Sequence, residues 1–221
     1  MIYERIRQIK IMENIIIEGG TGEIIEKKSR FIANVKPVKN EDEAMAFINE
    51  MKKKYWDARH NCMAYVVNGG FKFSDDGEPS GTAGKPMLDV IMGRQLMNVA
   101  VVVTRYFGGI LLGTGGLVRA YQKAAIEGLN NSVIAEKQKG VRFDITTDYN
   151  GLGKIQYIAS NENVYIVNVD YTENVRISVV CKEKDCDGFV KKVVEVTSGK
   201  AEMSDKENIE YYSSDKEIVM L

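Results

Sequence analysis

Only three prolines occur in 221 residues, and no long polar or low-complexity tract interrupts the chain. Disorder needs few hydrophobic residues and a high net charge. Here 44% of the residues are hydrophobic and the net charge is −1, so extensive disorder is excluded. Cysteine is also scarce. Cys62, Cys181 and Cys186 are odd in number and not densely spaced, which excludes a secreted disulfide scaffold. Cys181 and Cys186 lie five apart with no second pair to complete a zinc site. Cys62 stands in an apolar run and reads as a buried, inert thiol. No run approaches the ~20 apolar residues of a membrane-spanning helix. The N-terminus lacks the basic, apolar and small-residue order of a signal peptide. A cytoplasmic protein is expected.

A chain strongly basic overall would argue for nucleic acid by itself, and this one is not. The charge is uneven, however. Residues 137–221 carry 12 basic and 15 acidic side chains, against 18 and 16 in residues 1–136. An anion-binding face is therefore expected as a local patch in the first part.

Domains commonly run to ~100–150 residues, so one large or two small domains fit this length. Residues 1–12 are helix-compatible and read as an extension. Ile15 to Glu18 reads as a strand, and Glu23 to Lys36 as one strand or two. Asn40 reads as a helix N-cap before Glu41, Asp42 and Glu43. Ala44, Phe47, Ile48 and Met51 form the apolar face of a helix over about 41–54, and Lys52–Lys54 suits its C-terminal dipole. Cys62 to Val67 and Phe71 to Phe73 read as strands about an Asn68-Gly69-Gly70 turn. A short helix is expected from Met87 to Leu96, a buried strand from Val99 to Val103, and a long helix over about 115–130. An exit and domain boundary is expected at about 132–140. Beyond it, strand 141–147, helix 149–161, strands 164–171 and 174–181, helix 184–198 and one or two strands from Met203 give β-α-β-β-α-β, the order of a ferredoxin-like fold. The domains are set at 12–135 and 138–221.

Two loops carry most of the information. The first runs from Ser74 to Pro86, with Asp75, Asp76 and Glu78 among glycines and Ser80, Thr82 and Lys85 following. Clustered carboxylates suit a hard cation, but the spacing is not that of a twelve-residue calcium loop. Asp-Gly and Glu-Pro are also ordinary turn formers. The second runs from Arg105 to Arg119. A buried strand enters Gly108-Gly109, and Thr114-Gly115-Gly116 opens a helix whose first N–H groups lack helical partners. Such a start favours an anion, and Arg105 and Arg119 can add bidentate contacts. It is neither a P-loop nor a dinucleotide fingerprint. The plainer reading makes Thr114 a cap and the glycines close-packing positions.

His60 is the single histidine. It stands at a strand start, where Asp76 or Glu78 nearby would raise its pKa and make acid–base chemistry conceivable. Cys62 is on the same side of that strand. Tyr106 and Phe107 beside Arg105 either stack bases or pack the domain edge.

Ser29-Arg30-Phe31-Ile32, Ala58-Arg59-His60-Asn61-Cys62, the run Asp75 to Gly84, Val103 to Gly109, and Leu112 to Tyr121 resemble the IMPACT/YigZ family in order and spacing. The match covers about 23–130. The C-terminal part resembles the small ferredoxin-like domain appended to bacterial members. The resemblance implies an α+β protein. Its first domain would be ribosomal protein S5 domain 2-like, a mixed sheet backed by helices, and its second ferredoxin-like. It also implies ribosome or RNA contact, because the domain arrangement looks like that of elongation factor G. Eukaryotic relatives regulate translation, but they carry a different partner-binding domain, so that role does not transfer. A dipeptidase label given to some bacterial members has no ligand set here.

The preferred expectation is a non-enzymatic RNA- or ribosome-associated binding protein linked to translation, with no cofactor, no metal and no catalytic residue assigned. The candidate cleft comprises Arg30, His60, Asp75, Asp76, Glu78, Ser80, Thr82, Lys85, Arg105, Tyr106, Gly108, Gly109, Thr114, Gly115, Gly116 and Arg119. The alternatives are a protein-interaction adaptor without nucleic acid, and a nucleotide- or metal-dependent enzyme using His60 with Asp76 or Glu78.

Overall fold

A computed structural model describes residues 14–214 and 218–220. The helical reading of residues 1–12 lies outside the described residues. The chain divides into two compact units, one up to Glu136 and one from Lys137.

The first unit is built on a five-stranded antiparallel sheet. Its strands are β2 (Thr21–Glu26), β3 (Ser29–Pro37), β4 (His60–Val67), β5 (Gly70–Ser74) and β7 (Val99–Tyr106). Their spatial order is β2-β3-β7-β4-β5. A smaller group joins β1 (Asn14–Glu18), β6 (Leu96–Met97) and the start of β8 (Val133–Thr147). There β1 pairs parallel with β6 and antiparallel with β8. The segment 132–140, expected as an exit loop, is therefore largely strand. Its run Glu136-Lys137-Gln138-Lys139 hides the alternation that marks a half-buried strand.

The central strands β3, β7 and β4 alternate strictly, and each face has its own core. Helix α1 (Glu41–Lys54) covers one face. Ala44, Phe47, Ile48 and Met51 pack there against Met63, Tyr65, Val67, Ala100 and Val102. Asn40 caps the helix, accepting the Glu43 N–H at 2.9 Å. Helices α2 (Gly84–Gly93) and α3 (Thr114–Asn130) cover the other face. Met87, Leu88, Ile91, Leu117, Tyr121 and Ala124 pack there against Phe31, Cys62, Ala64, Val101 and Val103. α2 begins three residues before the expected start, because the polar loop leads straight into its first turn.

Two glycines set how closely α3 approaches the sheet. A Cβ on Gly22 would stand 2.5 Å from the Gly128 nitrogen, and one on Gly128 would stand 2.9 Å from the Ala33 Cβ.

The second unit runs from the later part of β8 through α4 (Tyr149–Asn161), β9 (Tyr165–Tyr171), β10 (Val175–Lys182) and α5 (Glu183–Val196). It continues through β11 (Glu202–Met203) and β12 (Glu207–Ser213) to β13 (Ile218–Met220). β10 lies between β8 and β9, and β11 and β12 flank the other side of β8. Counted as four strands, the order is 4-1-3-2, the ferredoxin-like arrangement. Ile155, Ile158, Phe189 and Val193 of the helices pack on Val141, Phe143, Ile145 and Ile177. Cys181 and Cys186 are both buried free thiols in this core. Burial, with Cys186 beside it, pushes Cys181 up to about 12. The α+β class expected from the sequence holds in both units.

Gly22→Ala should lower stability by roughly 1–3 kcal/mol through overpacking. In urea unfolding the midpoint falls while the slope stays unchanged.

Candidate functional site

The register brings three chain segments to one end of the five-stranded sheet. Arg30 lies opposite Tyr106, and His60 opposite Arg105. The starts of β3 and β4 and the end of β7 therefore share an edge with the loops that adjoin them. β7 continues past the expected Val103, so Arg105 still alternates inward with Val101 and Val103.

That inward placement overturns the reading of Arg105 as a phosphate contact. Only 7% of it is exposed. Its Nη1 donates to Glu78 Oε1 at 2.7 Å, and Tyr121 donates its hydroxyl to the same oxygen at 2.8 Å. The guanidinium lies 5.4 Å from the Phe31 ring and 5.6 Å from the Phe107 ring, and its Nε is buried without a hydrogen-bond partner. Glu78 thus joins the first loop to β7 and α3, so the two informative loops meet at one point.

The other carboxylates of the first loop serve the loop itself. Asp75 Oδ1 accepts the N–H groups of Ala83 and Gly84 at 2.9 and 2.8 Å, and Oδ2 that of Gly81 at 2.8 Å. It caps α2 from outside the helix, where Ala83 has no capping side chain. Asp76 adopts φ +42°. Its Oδ2 accepts the Asn61 N–H at 2.7 Å and its Oδ1 accepts from Lys52 at 2.9 Å. Thr82 is buried and donates to the Pro79 carbonyl at 2.6 Å, while Ser80 is exposed. Each carboxylate faces a different partner. Among the described residues no group of three or more His, Cys, Asp and Glu side chains converges on a metal position.

His60 meets Asp76 through the backbone and not through a carboxylate. Its Nδ1 lies 2.9 Å from the Asp76 carbonyl, which only accepts, so Nδ1 carries the proton. Cys62 lies 3.0 Å from the Asp75 carbonyl and 3.3 Å from the Tyr121 hydroxyl. Burial, reinforced by Glu78, Asp76 and Asp75, pushes its thiol far above the usual range. Burial likewise raises Tyr121, with Cys62 and Glu78 adding to it. This thiol is not a nucleophile.

Two more candidate cations are engaged. Arg30 makes a bidentate pair with Glu23 at 2.7 and 2.8 Å. Lys85 pairs with Asp89 one turn along α2. Arg119 is exposed and has no ion-pair partner among the described residues. Its guanidinium reaches back along α3 to the space beside Gly115. Gly113, at φ +71°, is the N-cap of α3, and no side chain caps the helix. Thr114 is the first helical residue and not the cap, and Thr114, Gly115 and Gly116 offer open N–H groups. Gly108 is required by close approach, since a Cβ there would stand 2.0 Å from the Lys28 backbone. Gly109 adopts φ +83°. Tyr106 donates its hydroxyl to Asp57 at 2.8 Å, which raises its pKa.

The same edge holds Lys27, Lys28 and Trp56, which no motif marked, with Arg59 and Phe107, which the motifs included. Lys27 and Lys28 form the two-residue turn between β2 and β3, at φ +44° and +65°. Both are exposed, as is Arg59, and none of the three has an ion-pair partner among the described residues. Trp56 is 83% exposed, Leu111 82% and Phe107 51%. A lysine pair in a hairpin turn was the available signal, because such turns favour Asn-Gly.

Removing the Glu78 carboxylate leaves Arg105 buried and uncompensated. Glu78→Ala should cost roughly 3–5 kcal/mol in urea unfolding. Cys62 and Tyr121 keep their protons in the folded protein at pH values where the unfolded chain has lost them. Their folded pKa values are raised, so stability is full below about pH 8.5 and falls as pH climbs above it. Urea midpoints from about pH 7 to about pH 10.5 should show that decline, and a flat profile would contradict the assignment.

Residues 27–129 match the Impact N-terminal domain, and residues 145–200 match a domain of unknown function, DUF1949. The chain is 43% identical over 193 residues to the IMPACT family member YvyE of Bacillus subtilis, covering 86% of this chain and 89% of that protein. It is 34% identical over 199 residues to the IMPACT family member YigZ of Escherichia coli, covering 87% and 98%. A crystal structure of a hypothetical protein superposes with a TM-score of 0.54 at 34% identity, covering 88% of this chain and 97% of that one. With its sheet end, its loops and these relatives taken together, the chain belongs to the IMPACT family.

Proposed function

We propose that the protein binds RNA, free or within the ribosome, through the end of the first unit's sheet that carries the Lys27-Lys28 turn, Arg59, Trp56 and Phe107, with the chain running on from Phe107 to the start of α3 and Arg119. The supporting observation is that exposed aromatic side chains stand there among cations with no internal partner. A nucleic-acid strand needs both, since phosphates take the cations and bases take the rings. The turn adds weight. Two lysines with positive φ cost backbone energy at a place where Asn-Gly costs none, and such strain accompanies functional positions. Involvement in translation is part of this proposal, with the ribosome as one source of the RNA. A role as an adaptor for proteins alone is the competing reading.

Lys27→Asn/Lys28→Gly separates binding from folding. The double variant should gain about 1–2 kcal/mol of stability by relieving the turn. In a salt series with total RNA and ribosomes, it should bind more weakly and lose about 1.4 from the log–log slope, two phosphate contacts' worth. Unchanged affinity and slope would remove the site. Absence of RNA binding at low salt would leave the adaptor reading.

A further inference from the structure

Resting on that reading, we infer that this sheet end takes single-stranded RNA, with bases stacked on Trp56 and Phe107, and does not take duplex RNA. Duplex RNA hides its bases and is held through phosphates and 2′-hydroxyls, so cations alone would serve it. This surface instead leaves large apolar side chains in water beside its cations. Trp56 is 83% exposed, the highest value among the large hydrophobic side chains described.

Both residues adjoin regular elements, Trp56 following α1 and Phe107 following β7. Trp56 sits within a turn at the end of α1, closed by the Ala58 N–H donating to the Tyr55 carbonyl at 3.1 Å. The indole it carries stays almost wholly in water. Phe107 has the Arg105 guanidinium 5.6 Å from its ring centre, and half of its side chain stays in water. Tyr106 links the two places, adjoining Phe107 in sequence while its hydroxyl bonds Asp57, the neighbour of Trp56. This row of neighbours, linked by one hydrogen bond and by the chain itself, puts three aromatic residues at the sheet end.

The charge along this row suits a polyanion. Glu23 is neutralised by Arg30, and Asp57, which keeps its charge while accepting from Tyr106, is outnumbered by the exposed Lys27, Lys28 and Arg59. Lys28 borders the row at the Phe107 side, where its backbone touches Gly108, and Arg59 borders it at the Trp56 side. Stacking requires unpaired bases, so strands open along their base faces fit where helices do not.

Trp56 is the only tryptophan in the chain, so intrinsic fluorescence reports this one position. The full-length protein would be titrated with an unlabelled oligouridylate and with a duplex RNA of equal length. Anisotropy of labelled strands would follow binding in parallel. Saturable quenching by the single strand is expected, with little from the duplex. Trp56→Ala should weaken single-strand affinity about 5- to 150-fold, Trp56→Phe should restore most of it, and duplex affinity should stay within about twofold. Because Trp56 lies outside both cores, thermal unfolding should be unaffected.

If the single strand binds without quenching and Trp56→Ala binds as well as the wild type, stacking is overturned while RNA binding stands. Equal quenching by the duplex also overturns the single-strand assignment. If neither RNA binds at low salt, the RNA reading fails and this inference fails with it.

Discussion

The buried ion pair between Glu78 and Arg105 is the constraint on which the first unit's loop structure depends. Its two side chains are only 3% and 8% exposed. A charge pair so far from water persists only when its geometry is good and further hydrogen bonds complete it. Tyr121 supplies one of those bonds, and the rings of Phe31 and Phe107 flank the guanidinium. Through this point the polar loop after β5 is tied to the end of β7 and to the second turn of α3. Asp75 then fastens the loop to the start of α2, and Asp76 fastens it to the start of β4.

This use of the acidic loop changes where function can lie. Three clustered carboxylates suggest a cation or a catalytic centre when read in a line. In the fold they turn to three different tasks, all internal. Outward at that end of the sheet stand Lys27, Lys28, Arg59 and Arg119 with Trp56, Phe107 and Leu111, beside the exposed Asp57. The α3 start keeps open N–H groups because glycine stands where a capping side chain would be, and Arg119 folds back beside Gly115. A neutral chain can thus carry a locally cationic surface, because Glu23, Asp76 and Glu78 are each paired with a cation of the structure.

Secondary structure was legible where a single physical rule dominates. The α1 span, with Asn40 as its cap and acids in the first turn, follows from helix-end chemistry acting within a few residues. The α4 span, expected at 149–161, is also found, and the structure adds its cap, Asp148 accepting the Gly151 N–H. Val99–Tyr106 was half legible. Its apolar start announces a buried strand, but Thr104, Arg105 and Tyr106 look like an exit until their partners are known. The β8 start was hidden for the same reason, since the charged residues of a half-buried strand resemble a linker.

The candidate site was legible as an address and not as an assignment. Most of the element order, the α+β class, the two glycine-rich loops and the family can be read along the chain, because these rest on local periodicity, turn chemistry and motif spacing. Which charges face water is settled only in three dimensions. Arg105 and Arg119 are equally basic in the sequence, yet one is locked against Glu78 and the other is open. Lys27, Lys28 and Trp56 carry no motif, and they join the site only because antiparallel pairing of β3, β7 and β4 brings three distant chain segments to one edge. Charge neutralisation and edge sharing are relations between residues far apart in the chain, so no reading along the chain can supply them.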